Sequence, residues 1–167
     1  ALEALVALDK KLSDADWTAV ATFNGAANEV NAIKAALKVK EDTAVNITSG
    51  QISAADANDL LVAADGKVVT ATIKDGSVAA TLKALKDAAA DAGDANVLKF
   101  KTTDKTADAT ALNSLAALVT EDYTSVKTIT SKAADIGING GNVTAALALV
   151  PGAAVTITGA ISAADAG

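Results

Sequence analysis

Apolar and polar residues alternate in six short segments of the chain, a period typical of half-buried strands. In one of them Val45 and Ile47 are predicted to point inward, and Asn46 and Thr48 outward. The segments lie at 20–23, 44–48, 71–74, 98–101, 128–130 and 154–158. The inward side chains predicted for a parallel sheet include Val45, Ile47, Ile73, Leu98, Phe100, Ile129, Val155 and Ile157.

Each segment leads into an alanine-rich stretch in which Leu or Val recurs every three or four positions. Leu112, Leu115 and Leu118 are an example, and this spacing predicts one apolar face of a helix. Ser53 and Ser162, each with Asp three residues later, predict helix starts. The residues predicted to end helices are Gly66, Gly93 and Pro151.

The strand-to-helix motif recurs along the chain. The two clearest copies are Ala44-Val45-Asn46-Ile47-Thr48 before Ile52-Ser53-Ala54-Ala55-Asp56-Ala57, and Ala154-Val155-Thr156-Ile157-Thr158 before Ile161-Ser162-Ala163-Ala164-Asp165-Ala166. Weaker copies lie between them at a spacing of roughly 25 to 29 residues. Because so short a unit cannot bury its own apolar side, we expect stacking into an α/β solenoid of about six strand–helix units, with a parallel sheet on one side and helices on the other. A doubly wound α/β domain is the alternative, although it does not require one motif to recur.

The predicted array covers 1–167 as a single domain, and both ends fall within a repeat. The chain opens on a helical pattern at 1–8 and closes on a strand followed by a helix start. Written head to tail, Gly167 followed by Ala1 completes one unit. This arrangement predicts a head-to-tail fibre, built either from separate subunits or from one tandem polypeptide.

Composition narrows the function classes. Hydrophobic residues make up 51% of the 167, and 42 residues are alanine. The chain has no Cys, His, Met or Arg, which removes thiol, imidazole and His/Cys metal chemistry, and no catalytic constellation remains. We therefore expect no enzyme. With 14 lysines against 20 acidic residues the net charge is −6, which disfavours nucleic acid as a partner. Polar residues interrupt the apolar runs, so no membrane span is predicted.

The two clear copies of the motif, together with the composition, resemble the Ala/Thr/Asp-rich repeats of large bacterial extracellular, cell-surface and adhesin-like proteins. The resemblance implies a secreted structural segment of a fibre, stalk or surface layer, located outside the bacterial cell or on its surface. Such proteins often carry calcium-binding repeats elsewhere in the polypeptide. The glycine-rich nonapeptide of those repeats is absent here.

Clustered aspartates are the candidate metal ligands. Asp14 and Asp16 form one pair, and Asp91 and Asp94 lie beside Asn96 in another. Carboxylate and amide oxygens on loops suit calcium, which is therefore the one candidate cofactor. The alternative interpretation is that these aspartates cap turns and keep an acidic surface soluble.

Outward strand positions form a candidate binding face. Its predicted members are Asn46, Thr48, Thr70, Thr72, Thr128, Thr130, Thr156 and Thr158. A hydroxyl ladder of this kind orders water or binds cell-surface glycans, so the alternative function is a calcium-dependent or glycan-binding adhesin module. The competing explanation is that threonine simply suits a pleated strand. Trp17 and Tyr123 precede strands at corresponding places, where packing is expected rather than stacking on sugar.

Overall fold

A computed structural model describes residues 2–9, 17–85, 95–136 and 140–160, and these form an α/β structure with parallel strand pairing. The helices are Leu2–Asp9 (α1), Val30–Leu37 (α2), Ala54–Ala64 (α3), Val78–Ala84 (α4), Ala109–Ala116 (α5) and Gly141–Leu149 (α6). The strands are Thr22–Ala26 (β1), Ala44–Ser49 (β2), Val69–Thr72 (β3), Val97–Lys101 (β4), Thr106–Asp108 (β5), Thr120–Asp122 (β6), Thr128–Lys132 (β7) and Ala154–Thr158 (β8). Two 3-10 turns, Ala27–Glu29 and Ala133–Asp135, follow β1 and β7.

Tertiary contacts divide the chain into two compact units. Unit 1 comprises 1–74 and 84–99, and unit 2 comprises 75–83 and 100–167. The predicted helix start at Ser162 and the predicted helix end at Gly93 lie outside the described residues. The continuous six-unit solenoid remains a prediction.

The sheet of unit 1 runs in the order β1-β2-β3-β4, with every neighbour parallel. Phe23 pairs with Val45, 22 residues later, and Val45 pairs with Val69 after a further 24. These three residues form one buried row on the inner face of the sheet. The predicted inward orientation of Val45 and Ile47 is confirmed, because both are buried.

Helices cover the inner face of this sheet. In unit 1, α1 packs beside α2, and α2 packs beside α3. Ile33 and Leu37 of α2 and Leu60 of α3 are fully buried. Alanines such as Ala36 and Ala57 are also fully buried, and their small side chains allow neighbouring helices to approach closely.

Unit 2 contains a parallel sheet in the order β5-β7-β8. Ala107, Ile129 and Val155 form its inner row, and α5 packs beside α6. Leu112 and Ile129 are fully buried. The side-chain amide of Asn113 on α5 donates to the Asn142 carbonyl at 2.7 Å and thereby ties α5 to the start of α6.

The end strand of unit 2 departs from the expected burial. The inward residues predicted upstream, Ile73, Leu98, Phe100 and Ile129, are buried as expected. Val155 is 40% exposed and Ile157 is only partly covered. Their predicted inward orientation agrees with the register, since Val155 pairs with the buried Ile129 and Ile157 with the buried Ser131. The expectation that they are core residues is wrong, because β8 is an edge strand among the described residues and a side chain there lacks the neighbouring strand that would cover its open side.

Helix termini follow local chemistry that the sequence partly predicts. The Ser53 hydroxyl accepts a hydrogen bond from the Asp56 main-chain N–H at 3.0 Å, which confirms the predicted start of α3. Asp108 caps α5 in the same way through the N–H of Ala111 at 3.0 Å. The end of α3 uses two left-handed residues, Asp65 at φ 46° and then Gly66 at φ 80°. Gly66 therefore lies one position beyond the left-handed C-cap.

Two glycines with similar backbone angles separate conformational strain from steric crowding. Gly50 has φ +79° and an added Cβ would lie 2.9 Å from the Ala27 Cβ, whereas Gly152 has φ +84° with nothing within 4 Å. We expect Gly152→Ala to lower the free energy of unfolding by about 1 to 2 kcal/mol through backbone strain. Gly50→Ala should lose about 1 to 3 kcal/mol more, because the new methyl crowds Ala27. Urea unfolding measures both free energies. Equal losses for the two variants would contradict the packing of Gly50, in the turn after β2, against Ala27.

Candidate functional site

One strand–helix–strand arrangement occurs in both units. In unit 1 it is β1, a 3-10 turn, α2 and β2, and we call residues 22–49 the first copy. In unit 2 it is β7, a 3-10 turn, α6 and β8, and we call residues 128–158 the second copy. Thr22 and Thr128 begin the first strand of each copy, although the other residues of these two strands differ. Two of the buried positions of the first copy, Phe23 and Val30, correspond to the buried Ile129 and Ile136 in the second.

Hydrogen bonds repeat along with the elements. Where the second strand of each copy begins, the Ala44 N–H donates to the Ala21 carbonyl at 3.3 Å, and the Ala154 N–H donates to the Lys127 carbonyl at 2.9 Å. Near the end of that strand, the Thr48 hydroxyl donates to the Gly25 carbonyl at 3.3 Å. Its counterpart in the second copy is a 3.5 Å contact from the Thr158 hydroxyl to the Ser131 carbonyl. The two copies are therefore alike in backbone registration.

Coverage of the second strand is the main difference between the copies. In the first copy Val45 is 1% exposed, because β3 pairs with β2 and places Val69 opposite it. In the second copy the equivalent Val155 is exposed, and none of the strands in the described part of the chain pairs with the outer side of β8. We call β8, with Val155 and Ile157 on its inner face, the β8 edge. It is the candidate functional site, because the equivalent residues of the first copy, Val45 and Ile47, are core residues where another strand follows.

In the sheet of unit 1, β1 is also an edge strand. The order β1-β2-β3-β4 places β1 outermost in unit 1. Thr22 and Asn24 are exposed, whereas Phe23 is buried. The helix α1 packs beside α2, although the crossover from β1 to β2 requires α2 alone. The helix layer of unit 1 therefore contains one more helix than its described strand connections need.

The predicted hydroxyl ladder is involved in contacts within the protein. Asn46 donates through its side-chain amide to the Asn24 Oδ1 at 3.1 Å. The Thr130 hydroxyl donates to the Ala107 carbonyl at 3.4 Å, as Thr48 and Thr158 do to preceding strands. Because these three hydroxyls lie within hydrogen-bond distance of main-chain oxygens, the ladder has a structural role at three of its threonine positions. Binding of water or glycans by this face remains a prediction.

The candidate metal ligands Asp14, Asp16, Asp91 and Asp94 lie outside the described residues. Their neighbour Asn96 is described, and its Oδ1 accepts a hydrogen bond from the Val69 N–H at 2.7 Å, which anchors the start of β3. Within 2–9, 17–85, 95–136 and 140–160, no three His, Cys, Asp or Glu side chains are grouped so as to hold a metal ion. A calcium site remains a prediction.

A cluster of ion pairs joins α2 and α3. Lys34 Nζ on α2 lies 2.7 Å from Asp56 Oδ1 and 2.6 Å from Asp59 Oδ2 on α3. Burial alone would lower the pKa of Lys34, but the hydrogen bonds and charges of the two aspartates outweigh it and hold that pKa above its usual value. Burial likewise would raise the pKa of Asp56, yet hydrogen bonds from Lys34 and Ser53 keep it below its usual value. The cluster is a structural clamp on the helix layer.

Acid is expected to weaken this clamp. The lowered pKa of Asp56 means that its stabilisation is complete above the unfolded value of about 4 and disappears as the pH falls through the lower folded value. At pH 7 we expect Asp56→Asn to lose about 0.5 to 1 kcal/mol of unfolding free energy. The difference from the unmodified chain should shrink in urea titrations below about pH 4. Asp135→Asn, at an exposed position in unit 2, is the matched control, and a pH-independent loss for Asp56→Asn would contradict the ion pair.

Before β7, unit 2 carries a groove of about 390 Å³. Its lining includes Asp122, Tyr123, Lys127 and Pro151. Tyr123 is buried, as predicted for a packing residue, and its carbonyl accepts from the Val126 N–H at 2.9 Å. The carbonyl of Trp17 accepts from the Val20 N–H at the same distance before β1, so the predicted correspondence of the two aromatics is confirmed at the backbone.

Hydrogen bonds from the Thr124 hydroxyl and N–H lower the pKa of Asp122, which lines the same groove. These bonds turn the carboxylate toward its own loop. The Lys127 ammonium donates to the Thr124 carbonyl. The charged groups of the groove are thus used in shaping the turn that leads into β7.

Comparison of the chain with models of protein families, with curated proteins and with solved structures gives no match. Across the described residues, every helix is too short or too polar to cross a membrane. The β8 edge therefore has to be interpreted from its own geometry.

Proposed function

We propose that this chain is a structural repeat segment of a bacterial extracellular fibre, stalk or surface-layer protein, and that it assembles head to tail. The observation that carries the proposal is the β8 edge. Val155 is exposed in the second copy, whereas Val45, its equivalent in the first, is covered by a following strand and helix. A surface that is core elsewhere in the same chain is suited to receive another unit of the same kind.

The order of elements supports a stack of six units. Helices α2 to α6 separate six strand-bearing segments in the described chain, namely β1, β2, β3, β4 with β5, β6 with β7, and β8. Stacked at the spacing of neighbouring strands, six units would rise roughly 29 Å. The solenoid so proposed has the parallel strands on one side and the helices on the other.

Open, non-identical ends favour filaments over closed oligomers. A contact that joins two different surfaces of a subunit repeats indefinitely unless its rotation closes a ring. Among the described residues, β1 and β8 are two different edge strands, and a further unit can stack on each of them. Placement outside the bacterial cell, or on its surface, rests on the resemblance of composition and motif.

A concentration series tests this function. Purified chain is examined by light scattering and negative-stain electron microscopy from micromolar to millimolar concentration. Filaments of uniform width that lengthen with concentration are the expected result. A monodisperse monomer throughout the series would overturn the proposal.

The adhesin alternative has less support, because three ladder hydroxyls donate to main-chain carbonyls. A thermal melt with and without calcium distinguishes it from a purely structural segment. A calcium-binding module should gain roughly 2.7 kcal/mol at a hundred times its dissociation constant. We expect no such gain for the structural segment.

A further inference from the structure

We propose that β8 of one chain adds in parallel to β1 of a second chain of this protein, in the register that places Val155 opposite Phe23. The inference rests on the proposed head-to-tail assembly and specifies its interface. It makes a second chain the occupant of the β8 edge. Main-chain geometry, side-chain faces and the helix layer support this pairing.

Main-chain groups of both edges have the required alternation. Residues of a parallel strand direct their N–H and C=O groups alternately to its two neighbours. Because the Ala44 N–H donates to Ala21, the outward groups of β1 are those of Thr22 and Asn24. Because the Ala154 N–H donates to Lys127, the outward groups of β8 are those of Val155 and Ile157.

These outward groups form a continuous ladder in one register. The Thr22 N–H of the second chain donates to the Ala153 carbonyl of the first, and the Val155 N–H donates to the Thr22 carbonyl. The Asn24 N–H then donates to the Val155 carbonyl, and the Ile157 N–H donates to the Asn24 carbonyl. A shift by one residue would bring together groups that already bond to β2 and β7.

Side-chain faces select the same register. In the pairs β1–β2, β5–β7 and β7–β8 the first residues of the two strands are partners, as Thr22 is of Ala44 and Thr128 is of Ala154, whereas β2–β3 and β3–β4 are offset by one residue. Pairing Ala154 with Thr22 of the second chain follows the first of these two patterns. It places Val155 in the inner row with the buried Phe23, and Thr156 in the outer row with Asn24. The outer-row residues at this junction are uncharged, so no like charges meet.

The extra helix of unit 1 completes the unit. Where β2 continues into a following unit, α3 covers its inner face, and Ala57 and Leu60 of that helix are buried. At the junction, α1 of the second chain takes the equivalent place, because it already lies beside α2 of that chain. Strand β8 of one chain and helix α1 of the next thus form a single strand–helix unit.

Cysteine cross-linking tests this interface without background, because the chain contains no cysteine. The double variant Thr22→Cys/Ala154→Cys is polymerised and treated with a short thiol-specific cross-linker. A ladder of covalent dimers, trimers and longer species on a denaturing gel is the expected result. The in-chain control is Thr128→Cys/Ala154→Cys, whose residues pair on neighbouring strands and should link without raising the mass.

The controls make each outcome decisive. Thr22→Cys/Thr158→Cys displaces one thiol by four residues, about 13 Å along the strand, and should give little ladder. Filaments that form while Thr22→Cys/Ala154→Cys stays uncross-linked would overturn the interface and leave the proposed function standing. Dimers of the single variant Ala154→Cys would indicate pairing of two β8 strands and overturn it as well. Chains that remain monomeric in every variant and in the unmodified protein would overturn both proposals.

Discussion

Val155→Lys is expected to abolish filament growth while leaving the fold of each chain intact. Val155 is 40% exposed in the single chain, so its replacement removes little core. Assembly would bury the exposed 40% of this side chain, so the change removes roughly 0.6 to 1.2 kcal/mol of apolar burial there, two fifths of the value for a fully exposed valine. Burial of the lysine charge adds to this loss. Since 1.4 kcal/mol is a factor of ten, the critical concentration should rise about tenfold or more. Light scattering across a dilution series measures that concentration.

Val62→Lys is the matched control for charge and residue type. Val62 is 54% exposed and lies on α3, which packs on β2 and β3. We expect this variant to assemble at the concentration of the unmodified chain. Equal inhibition by the two lysines would attribute the effect to net charge and contradict the role of the β8 edge.

Phe100→Ala is expected to produce the largest loss of stability. The ring belongs to β4 and is 3% exposed, so truncation removes its apolar burial and leaves a cavity. Changes of this kind cost about 3 to 5 kcal/mol. The free energy of unfolding in urea measures the loss.

A control on the same strand separates burial from strand propensity. Val97 lies three residues earlier on β4 and is 39% exposed. Val97→Ala should cost less than about 1 kcal/mol, because the truncation removes little buried apolar area. A loss of similar size for Phe100→Ala would show that the ring is outside the core.

Alternation of apolar and polar residues predicts the strands well where a strand has neighbours on both sides. Val45 and Ile129 are examples, since burial follows directly from the face on which a side chain lies. Val155 has the same pattern but a different environment, because it lies at a sheet edge. Periodicity reports the face of a strand and carries no information about the strand beside it.

The shortest strands are beyond the reach of the pattern. β5 and β6 have three residues each, which is too few to show a period of two. The predicted spacing of roughly 25 to 29 residues is also longer than some observed registers, since Phe23 pairs with Val45 only 22 residues later. Loop lengths vary between the copies, so motif spacing measured along the sequence does not equal the pairing offset.

The candidate site could be predicted in part. The repeat of 44–48 at 154–158 is visible in the sequence, and it led to the expectation of stacking ends. The correspondence of β1 with β7 is hard to see in the sequence, because aligning the two strands matches Phe23 with Ile129 and Asn24 with Thr130. It emerges from shared backbone contacts, such as those of Ala44 and Ala154, which leave no residue-specific signal.

X-ray fibre diffraction from aligned filaments tests the head-to-tail stacking most directly. Strands that run across the filament should give a meridional reflection near 4.8 Å, the spacing of hydrogen-bonded strands. If each chain contributes the six stacked units proposed above, the pattern also contains an axial repeat of roughly 29 Å. A strand-spacing reflection on the equator, with strands lying along the filament, would contradict the account.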